Sequence, residues 1–134
     1  MNILKVKTEK RMLGDVGENA AAKFLRKAGY KILERNYVSD GVEIDIICAD
    51  QKTMVFVEVK TRTVGSASPF EPRPAASVDK EKQRKIIKAA AFYGARNGKG
   101  RQLRLDIIEV FIDRAGKKPK VAEIKHLIGA FGKN

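Results

Sequence analysis

The sequence has few residues of the kinds that form disulfides or zinc sites. The single cysteine, Cys48, cannot form an internal disulfide, and because it lies in an apolar segment we expect it to pack as a small hydrophobic residue. One Cys and one His, His126, are too few for a zinc site built from these two ligand types. Any metal must therefore be held by carboxylates, a ligand set that favours Mg²⁺ or Mn²⁺.

Long apolar runs are also missing. None approaches the ~20 residues that a membrane-spanning helix needs, and the apolar interruption near the N-terminus is too short for a signal peptide. We find no internal repeat, domain linker, Gly-rich phosphate-binding loop or RNA-recognition aromatic pair. These absences predict a single cytoplasmic domain without membrane association, and 134 residues are enough for one hydrophobic core.

The charge balance is strongly basic. Lys and Arg number 28 against 16 Asp and Glu, which gives a formal net charge of +12 and a pI near 10. Such an excess favours a polyanionic partner, because each phosphate neutralised by Lys or Arg releases condensed counterions. An anionic membrane surface is the alternative, but the chain has no strongly amphipathic basic helix with large apolar anchors. We therefore expect nucleic acid as the partner.

Apolar periodicity predicts a series of helices and strands after a basic, irregular arm at residues 1–13. One helix runs from Asp15 to Gly29, and a second begins at Ser77 or Asp79 and ends near Tyr93. The predicted strands are residues 30–38, both arms of a hairpin from Val42 to Arg62, residues 103–112 and residues 121–128. This order predicts an α/β sandwich with a central mixed sheet, in one domain that spans residues 14–134.

The hairpin carries charged side chains at positions that share a face. Residues two apart in a strand point the same way, so Glu43 and Asp45 point to one side of the first strand. Glu58 and Lys60 likewise share one side of the second strand. If residue numbers across the ladder sum to 103, Asp45 faces Glu58, and the other two charges face each other on the same side of the sheet. A slip of one residue would put the pairs on opposite sides.

Opposed carboxylates such as Asp45 and Glu58 repel each other unless a positive charge lies between them. A divalent cation with oxygen ligands is the usual solution, which makes both residues candidate metal ligands and Glu43 a further one. A lysine beside that metal, here Lys60, can orient or deprotonate an attacking water or stabilise developing charge. The alternative is a hairpin whose charged face is simply solvated, with Glu43 and Lys60 as a weak surface pair.

Four sequence blocks occur together in this order: G-D-V-G-E-N-A-A (14–21), E-I-D-I-I (43–47), F-V-E-V-K-T-R (56–62) and S-V-D-K-E-K-Q-R-K (77–85). With these blocks the chain resembles the YraN-type family of small bacterial proteins over nearly its whole length. That family is similar to the PD-(D/E)xK nucleases, in particular archaeal Holliday-junction resolvases. The resemblance implies a restriction-endonuclease-like core. On such a core we expect a Mg²⁺- or Mn²⁺-dependent endonuclease activity, with DNA rather than RNA as substrate.

The resemblance also implies roles outside the hairpin. A glutamate on the first helix commonly completes the metal shell in this fold, which would make Glu18 a ligand; the alternative is a capping box with Asp15 as N-cap. The R-x-D pattern of Arg104 and Asp106 is similar to a structural or supporting element of the family. Residues 63–76, rich in Gly, Ser and Pro, depart from the family's shorter F-G-x-P pattern and predict a flexible loop that either closes over a bound strand or is disordered.

The second predicted helix carries most of the candidate nucleic-acid contacts. Lys82 lies on its apolar side with Gln83 at the edge, so both would approach the carboxylates or the scissile phosphate if this side packs beside the hairpin. The alternative for Lys82 is a side chain that only snorkels past the apolar surface. The other candidates contact phosphates without sequence preference: Lys80, Arg84, Lys85, Lys88 and Arg62.

Two functions from different classes are consistent with these features. The first is metal-dependent phosphodiester hydrolysis in DNA, with Asp45, Glu58, Lys60 and Glu18 as candidate catalytic residues. The second is a non-catalytic nucleic-acid-binding module, since members of the resembled fold have also lost catalysis. An assembly factor for a ribonucleoprotein or membrane-bound complex also stays open. Symmetric cutting of a four-way junction needs two sites related by a two-fold axis, so that activity would require a homodimer.

Overall fold

The structure, a computed structural model, describes residues 3–64 and 80–131, with side chains from residue 8 onward. In these ranges the chain forms two helices, α1 (Ile3–Lys27) and α2 (Lys80–Asn97), and five strands: β1 (Lys31–Ser39), β2 (Val42–Ala49), β3 (Thr53–Thr63), β4 (Gln102–Asp113) and β5 (Lys120–Leu127). The strands form one sheet in sequential order, in which only the β3–β4 pair is parallel. The predicted α/β domain with a mixed sheet is confirmed, and it is consistent with a nuclease-like core.

The sheet lies between the two helices, each of which covers one side. On one side Met54 and Phe56 of β3 pack with buried residues of α2 such as Ile86. On the other side Val55 and Val57 pack with buried residues of α1. Because successive strand residues point to opposite faces, β3 needs apolar side chains at consecutive positions to be buried on both sides. The run T-M-V-F-V in the sequence meets this requirement.

The β2–β3 hairpin has the predicted register. Its paired residues run from Ile46 and Val57 to Ala49 and Met54, and the numbers of each pair sum to 103. The polar turn is closed by Asp50, whose Oδ1 accepts hydrogen bonds from the main-chain N–H groups of residues 52 and 53, at 2.9 and 2.7 Å. Turn chemistry therefore fixes which residues of the two strands face each other.

The first helix is longer than its apolar pattern predicted. It begins at Ile3 rather than at Asp15, so residues 3–13, expected to be an irregular arm, are helical. This segment is rich in Lys, Glu, Arg, Leu and Met, which favour helix even where no apolar stripe is present. Asp15 and Glu18 consequently lie inside α1, and the capping-box interpretation of Glu18 is wrong.

Several predicted boundaries shift by a few residues. The helix α1 ends at Lys27, two residues before Gly29, which has a φ of 100°. The helix α2 ends at Asn97 rather than near Tyr93. The predicted caps of α2 and residues 65–76 of the predicted loop lie outside the described residues, whereas Thr63 ends β3. Neither described helix has the length and apolar character that a membrane span requires.

A buried ionic cluster centred on Asp106 connects β4 to the end of β5. Asp106 is 0% exposed and accepts hydrogen bonds from Arg104 Nε and Nη2 and from the main-chain N–H of Gly129, all at 2.9 Å. Nε2 of His126 lies 2.7 Å from its Oδ2, and the imidazole packs edge-on against Phe24. Burial alone would raise the pKa of the Asp106 carboxyl, but these hydrogen bonds together lower it below its ordinary value.

Candidate active site

The hairpin strands separate where the predicted carboxylates begin. The β2–β3 ladder ends with Ile46 paired to Val57, so Asp45 and Glu58 are the first residues beyond it. In place of a ladder hydrogen bond, the main-chain N–H of Val59 donates to Oδ2 of Asp45 at 2.7 Å. The Asp45 side chain thus fills the opening between the two strands.

Asp45 and Glu58 line a common polar pocket of about 420 Å³ between the hairpin and the first turns of α2. Glu43 lines the same pocket, as expected from its spacing to Asp45. The other lining residues come from the β1–β2 turn region and from α2: Gly41, Val42, Glu81, Lys82 and Lys85. The pocket therefore brings three of the predicted carboxylates next to basic side chains of the second helix.

Glu58 is 7% exposed and has two lysines at the same oxygen. Nζ of Lys82 donates a hydrogen bond to Glu58 Oε1 at 2.9 Å, and Nζ of Lys60 lies 3.5 Å from that atom. Lys82 thus approaches the carboxylates as predicted and does not merely snorkel past the apolar surface. The attraction between opposite charges at such distances offsets part of the desolvation cost of burying the carboxylate.

Among the described residues, no Lys or Arg forms an ion pair with Asp45. Burial, and to a lesser extent repulsion from Glu58, raise the pKa of the Asp45 carboxyl to about 7, although the hydrogen bond from Val59 acts in the opposite direction. Glu18 and Glu43 add smaller repulsive contributions. Within the described part of the chain, the charged neighbours that act on Asp45 are thus carboxylates, which is the electrostatic condition that favours a bound cation.

Glu18 and Glu43 are joined by Asn36, a residue that the sequence pattern did not single out. Nδ2 of Asn36 donates to Oε1 of each glutamate at 2.9 Å. Asn36 has a φ of 53°, a left-handed conformation that Asn tolerates better than β-branched residues do. An Asn inside a strand is unusual because this residue type is depleted from strands, and that was the available signal. Glu18 also lies 3.8 Å from Nη2 of Arg35.

Gly17 lets α1 lie close to the C-terminal end of strand β3. A Cβ atom at this position would overlap Oγ1 of Thr61, so a side chain larger than hydrogen would force the helix or the strand to move. Glu18 is the next residue of α1, and its Oε1 accepts the hydrogen bond from Asn36. The glycine of the G-E dipeptide thus explains how a helix residue reaches the carboxylates of the sheet.

These residues lie within the segment that known proteins share with this chain. The model described as "Uncharacterised protein family UPF0102" matches residues 17–110, which begin at Gly17 and include every site residue named above. The chain belongs to this family. The resemblance to the YraN-type family, predicted from the four sequence blocks, is thereby confirmed.

Relatives of this UPF0102 chain match it over almost their whole length. A UPF0102 protein of Caldanaerobacter subterraneus subsp. tengcongensis is 42% identical over 126 residues, which cover 93% of this chain and 98% of that protein. A second, from Moorella thermoacetica, is 42% identical over 91% of this chain and 97% of its own. A third, from Geobacter metallireducens, is 44% identical over 90% and 93%. The similarity therefore extends over the whole domain rather than over the motifs alone.

Two further residues of the UPF0102 domain form an ion pair beside Lys60. Nε of Arg62 donates to Oε2 of Glu109 at 2.8 Å, and the Arg62 side chain is only 17% exposed. Glu109 lies in β4 next to Lys60 of β3 in the parallel ladder. An acidic residue inside the apolar run I-I-E-V-F-I was the signal for Glu109, which the sequence analysis missed. Nε of Arg62 is thus engaged with Glu109. A contact of Arg62 with nucleic acid stays a prediction.

The carboxylates of the described residues suit only an open metal site. These residues contain no group of three or more His, Cys, Asp or Glu side chains that could hold a metal ion. Glu18 and Glu43 each accept a hydrogen bond from Asn36, and Asp45 and Glu58 lie where the hairpin strands separate. Mg²⁺ is usually held by one or two carboxylates, with waters and substrate phosphates as the other ligands. Asp45 and Glu58 could supply two such carboxylates.

The predicted phosphate contacts on α2 lie on the surface near this pocket. Gln83, expected at the edge of the apolar side, is half-buried. The outward-facing candidates are exposed as predicted: Lys80, Arg84, Lys85 and Lys88. These side chains give the helix a basic outer surface beside the carboxylate pocket.

Proposed function

We propose that this UPF0102 protein binds DNA and hydrolyses phosphodiester bonds with the help of Mg²⁺ or Mn²⁺, at branched or otherwise structured sites. The observation that carries the proposal is the convergence of Asp45 and Glu58 just beyond the last pair of the hairpin ladder, with Lys60 and Lys82 against Glu58. Carboxylates for a metal and lysines for developing charge are the groups that phosphodiester hydrolysis requires.

Each residue has a role that its position supports. Asp45 and Glu58 hold the cation, which when bound supplies Lewis-acid activation of the phosphate and a lowered pKa for a coordinated water. Lys60 orients the attacking water or stabilises charge on the phosphate oxygens. Lys82 neutralises Glu58 from the helix side, and Glu18 acts through Asn36 by fixing the position of Glu43. The basic surface of α2 holds the phosphate backbone.

A cleavage assay tests the proposal directly. Wild-type protein is incubated with flaps, four-way junctions and single strands in Mg²⁺ or Mn²⁺, and we expect cleavage that Asp45→Ala and Glu58→Ala each abolish. Glu123→Ala, at an exposed position of the edge strand β5, is the matched control and should cleave at the wild-type rate. Circular dichroism verifies that the variants are folded. Absence of cleavage by the wild type on every substrate and with both metals would refute the enzymatic proposal.

A second function is favoured by the way Glu58 is already neutralised. Two lysines lie at one carboxylate oxygen, and the described residues contain no group of three or more side chains that could hold a metal. A non-catalytic nucleic-acid-binding module could retain both features. Such a module would bind nucleic acid with a steep dependence on salt and no dependence on divalent metal. Metal titration separates the two functions.

A further inference from the structure

A second groove, of about 650 Å³, lies beside the candidate active site between α2 and the β1–β2 turn. Its apolar lining residues are Phe92, Ala89 and Ala91, and its charged lining residues are Lys85, Lys88 and one acid, Asp40. Lys85 also lines the pocket of Asp45 and Glu58, so the groove continues that pocket along the helix. We call it the Phe92 groove.

Phe92 has no evident role in the hydrophobic core. It is 57% exposed, whereas the neighbouring aromatic residue of α2, Tyr93, is 7% exposed and packs edge-on against Tyr37 and Phe56. The guanidinium carbon of Arg96 lies 5.5 Å from the centroid of the Phe92 ring, a cation–π contact that helps to hold the ring in place. The protein thus presents an oriented, exposed phenyl ring on its most basic helix.

The charge around the ring selects the kind of molecule that fits. From Lys80 to Asn97 the helix carries six Lys or Arg residues and one acid, Glu81. An apolar surface bordered by cations is complementary to a polyanion that also has flat apolar groups. Unpaired nucleic acid has both features, because its bases stack on aromatic side chains while its phosphates pair with Lys or Arg.

We infer that the Phe92 groove binds an unpaired stretch of the nucleic-acid substrate, with a base stacked on Phe92 and flanking phosphates on Lys85 and Lys88. The inference rests on the proposed function of the neighbouring pocket and names its substrate class: a strand that is single-stranded beside the bond to be cut. Phe92 follows Lys85 by seven residues, about 10 Å along the helix axis at ~1.5 Å per residue, a distance that a few nucleotides cover. An uninterrupted duplex has no unpaired base to offer to the ring.

Binding measured without cleavage tests this. Fluorescence anisotropy in EDTA compares a labelled single strand with a blunt duplex of the same length, for the wild type and for Phe92→Ala. We expect the variant to bind the single strand roughly 5- to 150-fold more weakly, the range that the loss of stacking of one base predicts. Its affinity for the duplex and its salt slope should not change, because no phosphate contact is removed. Ile87→Ala, which removes an exposed apolar side chain of the same helix outside the groove, is the matched control.

A second variant tests stacking itself. The sequence contains no tryptophan, so Phe92→Trp introduces a single indole whose fluorescence reports only on this position. We expect this variant to retain the affinity for the single strand and its fluorescence to be quenched on binding, with little quenching by the duplex. A variant that binds but shows no quenching would contradict a stacked base.

The outcomes separate this inference from the proposed nuclease activity. Selective loss of single-strand binding in Phe92→Ala supports the groove even if the wild type cleaves nothing. If Phe92→Ala binds single strand and duplex as tightly as the wild type, or binds both more weakly to the same extent, the inference about the groove is wrong and the nuclease proposal stays intact. If the wild type binds no nucleic acid at all, both are wrong. If sedimentation shows a wild-type dimer that Phe92→Ala dissociates, the groove is a self-association surface and the inference is wrong.

Discussion

Nζ of Lys82 lies 2.9 Å from Oε1 of Glu58, closer than Nζ of Lys60 at 3.5 Å, although Lys60 is on the same strand as the glutamate. The side chain of Lys60 is 24% exposed and lies at the C-terminal end of β3, whereas Lys82 comes from the helix that covers this side of the sheet. Lys82, whose side chain is 39% exposed, thus makes the shorter contact with the carboxylate, and Lys60 is paired with it less closely.

The variant Lys60→Ala tests whether Lys60 takes part in the cleavage reaction or only contributes positive charge for binding. Loss of a lysine that supports the attacking water should reduce the cleavage rate by ~10²-fold or more while affinity for DNA stays nearly unchanged. Lys85→Ala on the exposed surface of α2 should do the reverse, because it removes one phosphate contact and lowers the salt slope by about one unit. Single-turnover cleavage and anisotropy at several salt concentrations measure the two effects. If both variants only weaken binding to the same extent, Lys60 belongs to a general basic surface and has no part in the chemistry.

Titration with Mn²⁺ in a calorimeter decides between the enzyme and the binding module. We expect the wild type to bind Mn²⁺, and Asp45→Asn to lose this binding, because the amide keeps the shape of the side chain and an acceptor for the Val59 N–H but not the charge. Glu123→Gln, which alters an exposed carboxylate far along the sheet, should bind like the wild type. No measurable heat with the wild type, together with metal-independent DNA binding, would favour the non-catalytic module.

The parts of the site that sequence could predict are those set by local rules. The turn at residues 50–52 and the alternation along two adjacent strands are enough to fix the register, and the register brings Asp45 and Glu58 to the same opening. The approach of Lys82 followed from the apolar stripe of its helix, since that stripe determines which side faces the sheet. Both predictions need only the side-chain periods of the elements, two residues in a strand and 3.6 residues in a helix.

The parts that sequence missed depend on contacts between distant residues. Asn36 joins Glu18 and Glu43 only because its backbone takes a positive φ inside a strand, and no hydrophobic pattern encodes that. Arg62 and Glu109 are 47 residues apart and meet through a parallel pairing whose register cannot be deduced from a turn. The early start of α1 was missed because helix propensity without an apolar stripe leaves no periodic signal.

The buried Asp106 cluster should dominate the acid sensitivity of the fold. Since its hydrogen bonds lower the pKa of Asp106 in the folded state, the unfolded chain binds this proton more tightly. Its contribution to the free energy of unfolding is therefore complete above the ordinary Asp pKa of about 3.9 and is lost as pH falls below that value. At pH 7 we expect Asp106→Asn to lower the free energy of unfolding by about 3 kcal/mol or more, because Arg104 loses its buried partner.

Urea denaturation at several pH values measures this contribution. The difference between the wild type and Asp106→Asn should be largest near neutral pH and should shrink towards pH 3. Asp45, with its pKa raised to about 7, acts in the opposite direction between pH 7 and 4, and comparing both proteins at each pH removes its effect. Asp113→Asn, at an exposed position at the end of β4, is the control. A difference that does not vary with pH would mean that the Asp106 charge is not what stabilises the cluster.

The contact between Gly17 and Thr61 makes a prediction that involves no ionisable group. A methyl group at Gly17 would overlap the Thr61 side chain, so we expect Gly17→Ala to lower the free energy of unfolding by about 1–3 kcal/mol, as overpacking usually does. The displaced helix would also carry Glu18 away from Asn36 and reduce cleavage. The double variant Gly17→Ala/Thr61→Ala should recover part of the stability, because it removes Oγ1 and Cγ2, two of the three atoms that the new methyl group would meet.

Gly14→Ala on the same helix is the matched control for Gly17→Ala. A Cβ at Gly14 would meet nothing within 4 Å, so alanine there should raise stability by up to about 1 kcal/mol through its higher helix propensity. Thermal denaturation should therefore show that Gly17→Ala lowers stability and Gly14→Ala raises it, although the two positions are only three residues apart. The double variant should lie between Gly17→Ala and the wild type. If both glycine variants are stabilised alike, α1 does not lie against β3 at Thr61, and the position of Glu18 beside the carboxylate pocket needs another explanation.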